Sequence, residues 1–267
     1  MAHCRSRSLI ALLICTAFAV SAGGAAADPG TDVRAKVMYV KRTGTGTGTV
    51  YEKVRLTITR NGRTWRSGRL GRSYFTRPKL NVRDLDADGE VEVWVDTYTG
   101  GAHCCLQTRF FRWLPVRKAY AKTFRDWADA GYRPKNLDGR GAVELLSADA
   151  RFAYVFTAFA GSPFPIQIWH FDGGRLRNVT QLFPGQVALD AQQLWSAYLE
   201  HRRKDDVRGV LAAWLADEYL LGREDEGWLA IETALKRGDL QGPNGTWPTG
   251  RRYVLALRAF LKRNGYG

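Results

Sequence analysis

The chain has 267 residues, with 40 Lys or Arg against 26 Asp or Glu, a formal net charge of +14. Its 45% hydrophobic and 12% aromatic content is enough to bury a core, which excludes a disordered tail or a disulfide-stapled miniprotein. After the first 27 residues no stretch is apolar for long enough to cross a bilayer as a helix.

The chain opens "MAHCRSRS", with Arg5 and Arg7 and no acid, followed by the apolar run "LIALLICTAFAV" and the small residues of "SAGGAAADPG". That order predicts a secretory signal peptide over residues 1–27. Cleavage is expected after Ala27, where Ala25 and Ala27 satisfy the small-residue rule. Lipid anchoring at Cys15 is the lesser alternative, because Ile14 stands where a small residue belongs. Removal of this segment takes Cys4 and Cys15 with it and leaves 38 basic against 26 acidic residues, +12. The mature protein is expected to be secreted and soluble, with Cys104 and Cys105 as its only cysteines. Charge also divides the chain. Residues 28–184 hold 26 basic and 15 acidic residues, and residues 185–267 hold 12 and 11. This predicts a boundary near residue 185.

"VRAKVMYV" and "YEKVRLTITR" read as strands around the Gly/Thr turn "RTGTGTGTVY" (42–51). Asn61-Gly62 between β-rich flanks is a two-residue hairpin signal. Residues 53–83 carry ten Lys or Arg and no acid, among them Arg60, Arg63, Arg66, Arg69 and Arg72, with Trp65, Tyr74 and Phe75 interleaved. Odd spacing sends strand residues to opposite faces. The stretch is therefore either a solvated basic hairpin or a weak contact for a polyanion: cell-wall polymer, anionic lipid surface or extracellular nucleic acid.

"DLDADGEVEVWVDTY" follows. Val91, Val93 and Val95 alternate with Glu92, Trp94 and Asp96, the period of a strand. Beyond it, "TGGAHCC" invites comparison with a thiol or metal centre. In an oxidising compartment two adjacent cysteines with no other partner point first to a vicinal disulfide, a small ring stiffening the turn. An intermolecular bridge comes second. A zinc site of His103, Cys104 and Cys105 is third, since consecutive residues rarely aim at one tetrahedral centre, and thiol catalysis is last.

The chain then repeats itself. "NLDGRGAVELL" begins at Asn136, 52 residues after Asp84, and matches Leu85 with Leu137, Asp86 with Asp138, Gly89 with Gly141 and Glu92 with Glu144. "LQTRFFRW" (106–113) and "IQIWHFDGG" (166–174) share an aromatic strand character, and a repeat of this length marks one supersecondary unit used twice. After Gly185, apolar residues at three- and four-residue spacings predict helices in "DAQQLWSAYLEHRRK", "DDVRGVLAAWLADEYLLG", "EGWLAIETALKRG" and "RRYVLALRAFLKRNG". Gly222, Gly238 and Gly265 stand at their C-terminal ends. Trp195, Trp214, Trp228 and Phe260 form core stripes. His170 and His201 read as structural, Ser162 in "AGSPFP" as strand punctuation, and no G-x-S-x-G, H-E-x-x-H or phosphate loop is present.

The aspartate loop carries the chemistry. In D-x-D-x-D-G, alternate carboxylates converge on one centre and the glycine permits a sharp turn, the oxygen-ligand arrangement of a hard cation. Asp84, Asp86 and Asp88 take the first, third and fifth positions, Glu90 offers its backbone carbonyl, and Glu92 supplies a side-chain carboxylate. Val95 stands where an EF-hand needs glutamate, and the flanks are strands, so this is no EF-hand. Three like charges repel unless a cation neutralises them; the alternative is a solvated acidic turn. Affinity on the order of 10⁻⁴–10⁻³ M suits an extracellular module.

These residues and the strand behind them resemble the calcium loops of FG-GAP/VCBS repeats, as in the integrin-alpha type of β-propeller, over residues 80–175. The resemblance implies calcium held by Asp84, Asp86, Asp88, Glu92 and the Glu90 carbonyl, in a module for structure or binding. It extends to an uncharacterised group of exported bacterial proteins that pair such repeats with a helical C-terminal region. Asn136, Asp138, Arg140 and Glu144 resemble a degenerate second loop. Arg140 stands in place of the third carboxylate, and its guanidinium is expected to fill the cation's position against Asp138 or Glu144. A propeller needs at least four blades, and residues 28–184 offer about three, which implies an incomplete or modified arrangement. The expectation is an α+β protein with no catalytic residue assigned: a calcium-stabilised binding or structural module whose partner is an extracellular anionic polymer or another protein. The alternatives are an exported hydrolase with a spatially assembled site and a basic binder of cell-wall polymer.

Overall fold

The computed structural model describes residues 32–44, 48–242 and 246–267. The expected signal peptide, with Cys4, Cys15 and the cleavage point at Ala27, lies outside them, as does the centre of the Gly/Thr turn. The chain is α+β: antiparallel sheets come first and four helices follow.

The first sheet holds β1 (Val33–Gly44), β2 (Gly48–Arg60) and β3 (Arg63–Arg66) in that order, with β4 (Ser73–Tyr74) on the other end of β2. Asn61 and Gly62 turn β2 into β3 at φ +46° and +77°, the left-handed pair that a two-residue hairpin requires. The second sheet is a meander of β5 (Lys79–Arg83), β6 (Glu92–Tyr98), β7 (Leu106–Leu114) and β8 (Ala119–Ala128). The third repeats that order with β9 (Arg133–Lys135), β10 (Glu144–Ala148), β11 (Ile166–Asp172) and β12 (Arg175–Asn178). The described residues thus form three four-stranded sheets and no closed propeller.

The layers pack in series. Val54, Leu56 and Ile58 of the first sheet meet Val93, Val95 and Phe111 of the second. On the other side, Trp94, Phe110 and Trp127 meet Leu145 and Phe171 of the third. β6 is therefore covered on both faces, and residues 92–97 are all buried. The alternation in the sequence implies one solvated face; instead Glu92 and Asp96 are buried beside Trp94. Each fully buried aliphatic side chain here contributes about 1.5–3 kcal/mol.

Ile166 and Ile168 then join Val187, carrying the core into α1 (Pro184–His201), α2 (Arg208–Leu220), α3 (Glu224–Arg237) and α4 (Gly250–Arg263). α2 is central and buried from Arg208 through Glu218 apart from Val210. Arg208 itself is fully buried, bound to Asp206 and to the carbonyls of Trp247 and Pro248. Trp195 packs against Trp214 with ring centroids 4.6 Å apart, and Arg258 covers Trp228. Gly238 ends α3 with φ +81°, the left-handed cap that glycine adopts without strain. Among the described residues no helix is long and apolar enough to cross a membrane.

Candidate metal centre

The aspartate loop lies between β5 and β6. Ala87 and Gly89 both take positive φ, +58° and +88°, which curls the loop so that its carboxylates face inward. Asp84 accepts from the Gly89 amide at 2.9 Å, Asp88 from the Glu90 amide at 2.9 Å, and Glu92 from the Leu85 amide at 2.9 Å. Oxygens of Asp84, Asp86 and Asp88 come within 4.8 Å of one another. Glu90 turns its side chain away, into a two-pronged pair with Arg60 at 2.5 and 2.7 Å, which leaves its backbone carbonyl as the group it would offer.

One member of this site is invisible to the loop pattern. Arg112 of β7 stands directly across from Glu92, one step beyond the Val93–Phe111 pair. Its guanidinium donates to Asp86 and Glu92 at 2.9 Å each and to Asp88. Asp86 also accepts from Gly173, in the turn between β11 and β12, at 3.0 Å. The Leu85 carbonyl accepts from Val143 at 2.8 Å, and Thr123 of β8 donates to the Gly174 carbonyl. The loop therefore sits on the seam between the second and third sheets.

Arg112 does not satisfy the cluster. Four carboxylates face one guanidinium, and Asp84 Oδ1 and Asp86 Oδ1 are buried with no hydrogen-bond partner. The Asp86 side chain is only 6% exposed. Burial, with the charges of Asp86 and Asp88 behind it, pushes the Glu92 carboxyl up to about 8 against the opposing pull of the Leu85 amide and Arg112. Burial also raises Asp86. Asp88 is partly desolvated too, but Arg112 outweighs that and holds it below the usual carboxylate range. Even with a proton on Glu92, three aspartates against one arginine leave two negative charges uncompensated. A hard divalent cation fits that deficit and that all-oxygen donor set.

The second loop, between β9 and β10, reproduces the first in backbone. Gly139 and Gly141 take φ +75° and +97°, 52 residues after Ala87 and Gly89. Glu144 accepts from the Leu137 amide at 2.8 Å, the counterpart of the Glu92–Leu85 bond. Glu144 faces His170 across the sheet, with His170 Nδ1 3.7 Å from its carboxylate, so His170 takes the place of Arg112. Arg140 pairs with Asp138, one of its two expected partners, but from outside the loop. Its side chain is 86% exposed and approaches Asp138 only to 3.8 Å, because a long guanidinium is better hydrated outside a shallow loop than inside it. The side-chain oxygens of Asn136 and Asp138 instead accept from the amides of Gly139 and Arg140.

The remaining sequence candidates fall elsewhere. Cys104 and Cys105 are bonded to each other in the loop between β6 and β7, where the Gly101 amide points at Cys105 Sγ. Neighbouring His103 packs at a tilt against Phe159, ring centroids 3.9 Å apart, and His201 pairs with Asp205 at 2.8 Å. Ser162 is buried and gives its hydroxyl to the carbonyls of Thr157 and Ala158, closing the helical turn Phe159–Gly161 ahead of β11. The basic stretch does not act as one patch. Arg60 is half-buried against Glu90 and lies over Trp113 at 5.1 Å, and Arg72 leans on Glu52 at 3.4 Å. Arg63, Arg66 and Arg69 are exposed.

Comparison with known proteins adds a relation centred on the helices. Residues 187–265 match the family described as sll0997 C-terminal domain. The chain is 31% identical over 206 residues to the "Probable thylakoid lumen protein sll0997" of Synechocystis sp., covering 70% of this chain and 60% of that protein. It is 29% identical over 212 residues to the "Uncharacterized protein y4bJ" of Sinorhizobium fredii, covering 67% of this chain and 31% of that one. The chain thus spans less than two thirds of the length of either relative. No solved structure matches it.

Proposed function

We propose that the protein is an exported, non-catalytic module in which a calcium ion, held by the loop of Asp84, Asp86 and Asp88 with Glu92 and the Glu90 carbonyl, braces the second sheet against the third. The observation that carries this is the pair of buried, unpartnered oxygens on Asp84 and Asp86 in a cluster that Arg112 leaves negative. Buried carboxylate oxygens without partners cost free energy that a bound cation returns. The resemblance of residues 80–175 to FG-GAP/VCBS calcium loops supports the same ligand set. The Synechocystis relative is described as a probable thylakoid lumen protein, which agrees with export of this chain.

Ion binding to the folded state alone raises the melting temperature with ion concentration. Chelator-treated protein should melt several degrees lower than protein in millimolar calcium, and Asp86→Ala should abolish the difference. An equal calcium response in the variant would remove the proposed ligand.

A second reading, contact with an anionic polymer, is favoured by one feature. A cleft of about 740 Å³ is walled by Trp65, Trp113 and Tyr120 with Arg63 and Lys118 at its side. Salt-dependent retention on an anionic polysaccharide that falls in Arg63→Ala/Lys118→Ala would support it, and retention no greater than that of a charge-matched control would end it.

A further inference from the structure

Another guanidinium, distant in sequence from the aspartate loop, forms no ion pair within 4 Å among the described residues. Arg125 of β8 lies over the indole of Trp169 with Cζ 3.7 Å from the ring centroid, and 5.3 Å from that of Trp127. Its Nε is buried without an acceptor, and among the described residues the side chain makes no ion pair within 4 Å and no hydrogen bond. Burial holds it below the ordinary arginine range, against a weaker opposing pull from the Asp149 and Asp126 carboxylates. Arginines withdrawn from solvent are ordinarily paired.

Arg125 lines a cleft of about 480 Å³ where the second and third sheets meet the first turn after β10, together with Trp169, Gln167, Asn178, Ser147 and Arg151. Two of the other polar groups are placed to donate, whereas Ser147 gives its hydroxyl to the Gly131 carbonyl. Gln167 is only 8% exposed and spends its Oε1 on the Trp169 indole N–H, so its amide hydrogens are left for the cleft. Asn178 likewise spends its oxygen on Thr180. The two acids at the rim are already engaged. Asp149 accepts from Arg151 and from the Tyr266 hydroxyl, and Asp126 accepts from Gln107 and the Ala128 amide. What remains is a half-buried guanidinium laid over an indole, with the amide donors of Gln167 and Asn178 beside it and rim acids that already bind other donors.

We propose that this cleft is a binding site for the carboxylate of a small, single-ring organic acid, with Arg125 as its anchor. A guanidinium stacked on an aromatic face presents its free N–H edge in the plane parallel to that face. A planar carboxylate meets it there with two parallel hydrogen bonds and extends over the same ring. Gln167 and Asn178 supply the flanking donors, and the cleft volume is that of a small-ligand site. The site is separate from the aspartate loop, and calcium binding there is not needed for it.

The test is a titration of isotopically labelled full-length protein, in calcium, with glucuronate and with benzoate. Glucose serves as the neutral counterpart and inorganic phosphate as the non-planar anion. The Arg125 Nε–H and Trp169 indole N–H resonances are followed. The expected result is a saturable shift of both with at least one carboxylate, none with glucose, and a weaker response to phosphate. Affinity should fall at least about tenfold in Arg125→Lys, which keeps the charge but loses the fork. Gln167→Leu should weaken binding without altering the resonances of the aspartate loop, which keeps the result readable if an Arg125 variant folds poorly. No saturable shift with either acid at millimolar concentration would overturn the proposal. So would equal affinity in Arg125→Lys, or phosphate binding as tightly as the carboxylates.

Discussion

Asp217 in α2 offers the sharpest quantitative test of the packing. It is fully buried and faces the Asp190 carboxylate, to which its protonated form can donate. Burial, followed by the charges of Asp190 and Glu218, pushes its pKa up to about 10, against about 3.9 in an unfolded chain. With the folded value above the unfolded one, the neutral acid contributes stability that is complete below about pH 4. That stability drains away as pH rises toward 10. Within the window the slope approaches 1.4 kcal/mol per pH unit, so between pH 5 and pH 8 roughly 4 kcal/mol is at stake. Relaxation of the site and its exchange of charge with Asp190 absorb part of that, leaving about 2–4 kcal/mol. Asp217→Asn keeps the shape and cannot ionise, and Asp190, whose charge is felt at this position, is the natural acceptor for the new amide. The variant should match the wild type near pH 5 and exceed it at pH 8. At about 2–4 °C per kcal/mol for a chain of this size, the gain at pH 8 is at least about 4 °C. Calorimetric melting at pH 5, 6.5 and 8 reads this directly. Parallel pH profiles, or equal destabilisation at every pH, would refute the assignment of a neutral buried acid.

Three further outcomes follow from named contacts. Glu144→Ala removes the acceptor of the Leu137 amide and should cost about 1–3 kcal/mol in urea unfolding, with an unchanged midpoint contradicting a role for that bond in the second loop. Asn136→Asp with Arg140→Asp restores the full carboxylate set on a backbone that already matches the first loop. Calcium stoichiometry should rise from one to two, and a value still at one would confine the loop equivalence to the backbone. In Gly209→Ala the new Cβ would fall 2.1 Å from the Gly161 carbonyl oxygen. Because that neighbour is backbone, α2 must shift, and a loss of about 2–3 kcal/mol or more should appear as a lowered melting temperature; an unshifted one would mean the helix is loosely seated.

The parts legible in the sequence are those governed by local rules. Asn61-Gly62 can only mean a tight left-handed turn, and the helices announce themselves by spacing and by Gly238. The 52-residue repeat reappears as two equivalent bonds, Leu85 to Glu92 and Leu137 to Glu144. What escaped depends on pairing between strands. Arg112 enters the aspartate cluster only through the β6–β7 register, 26 residues after Asp86, although asking what stands opposite Glu92 on the next strand would have found it. Glu92 and Asp96 look like a solvated face until a third layer covers them. Asp96 is sheltered by Thr108 and Tyr132. Arg60 looked free in an acid-poor stretch because its partner, Glu90, lies 30 residues on. β8, written "AYAKTFRDWA", hides its strand period behind charges on a sheet edge, and nothing local in it marks Arg125 as lying over the indole of Trp169.

The central claim is that the first loop holds a cation, and calorimetric calcium titration of chelator-treated protein, with Asp86→Ala alongside, tests it most directly. The account predicts one saturable site with a dissociation constant on the order of 10⁻⁴–10⁻³ M, lost in the variant. No saturable heat up to several millimolar calcium would contradict it and leave Arg112 as the only charge that the aspartates were built to meet.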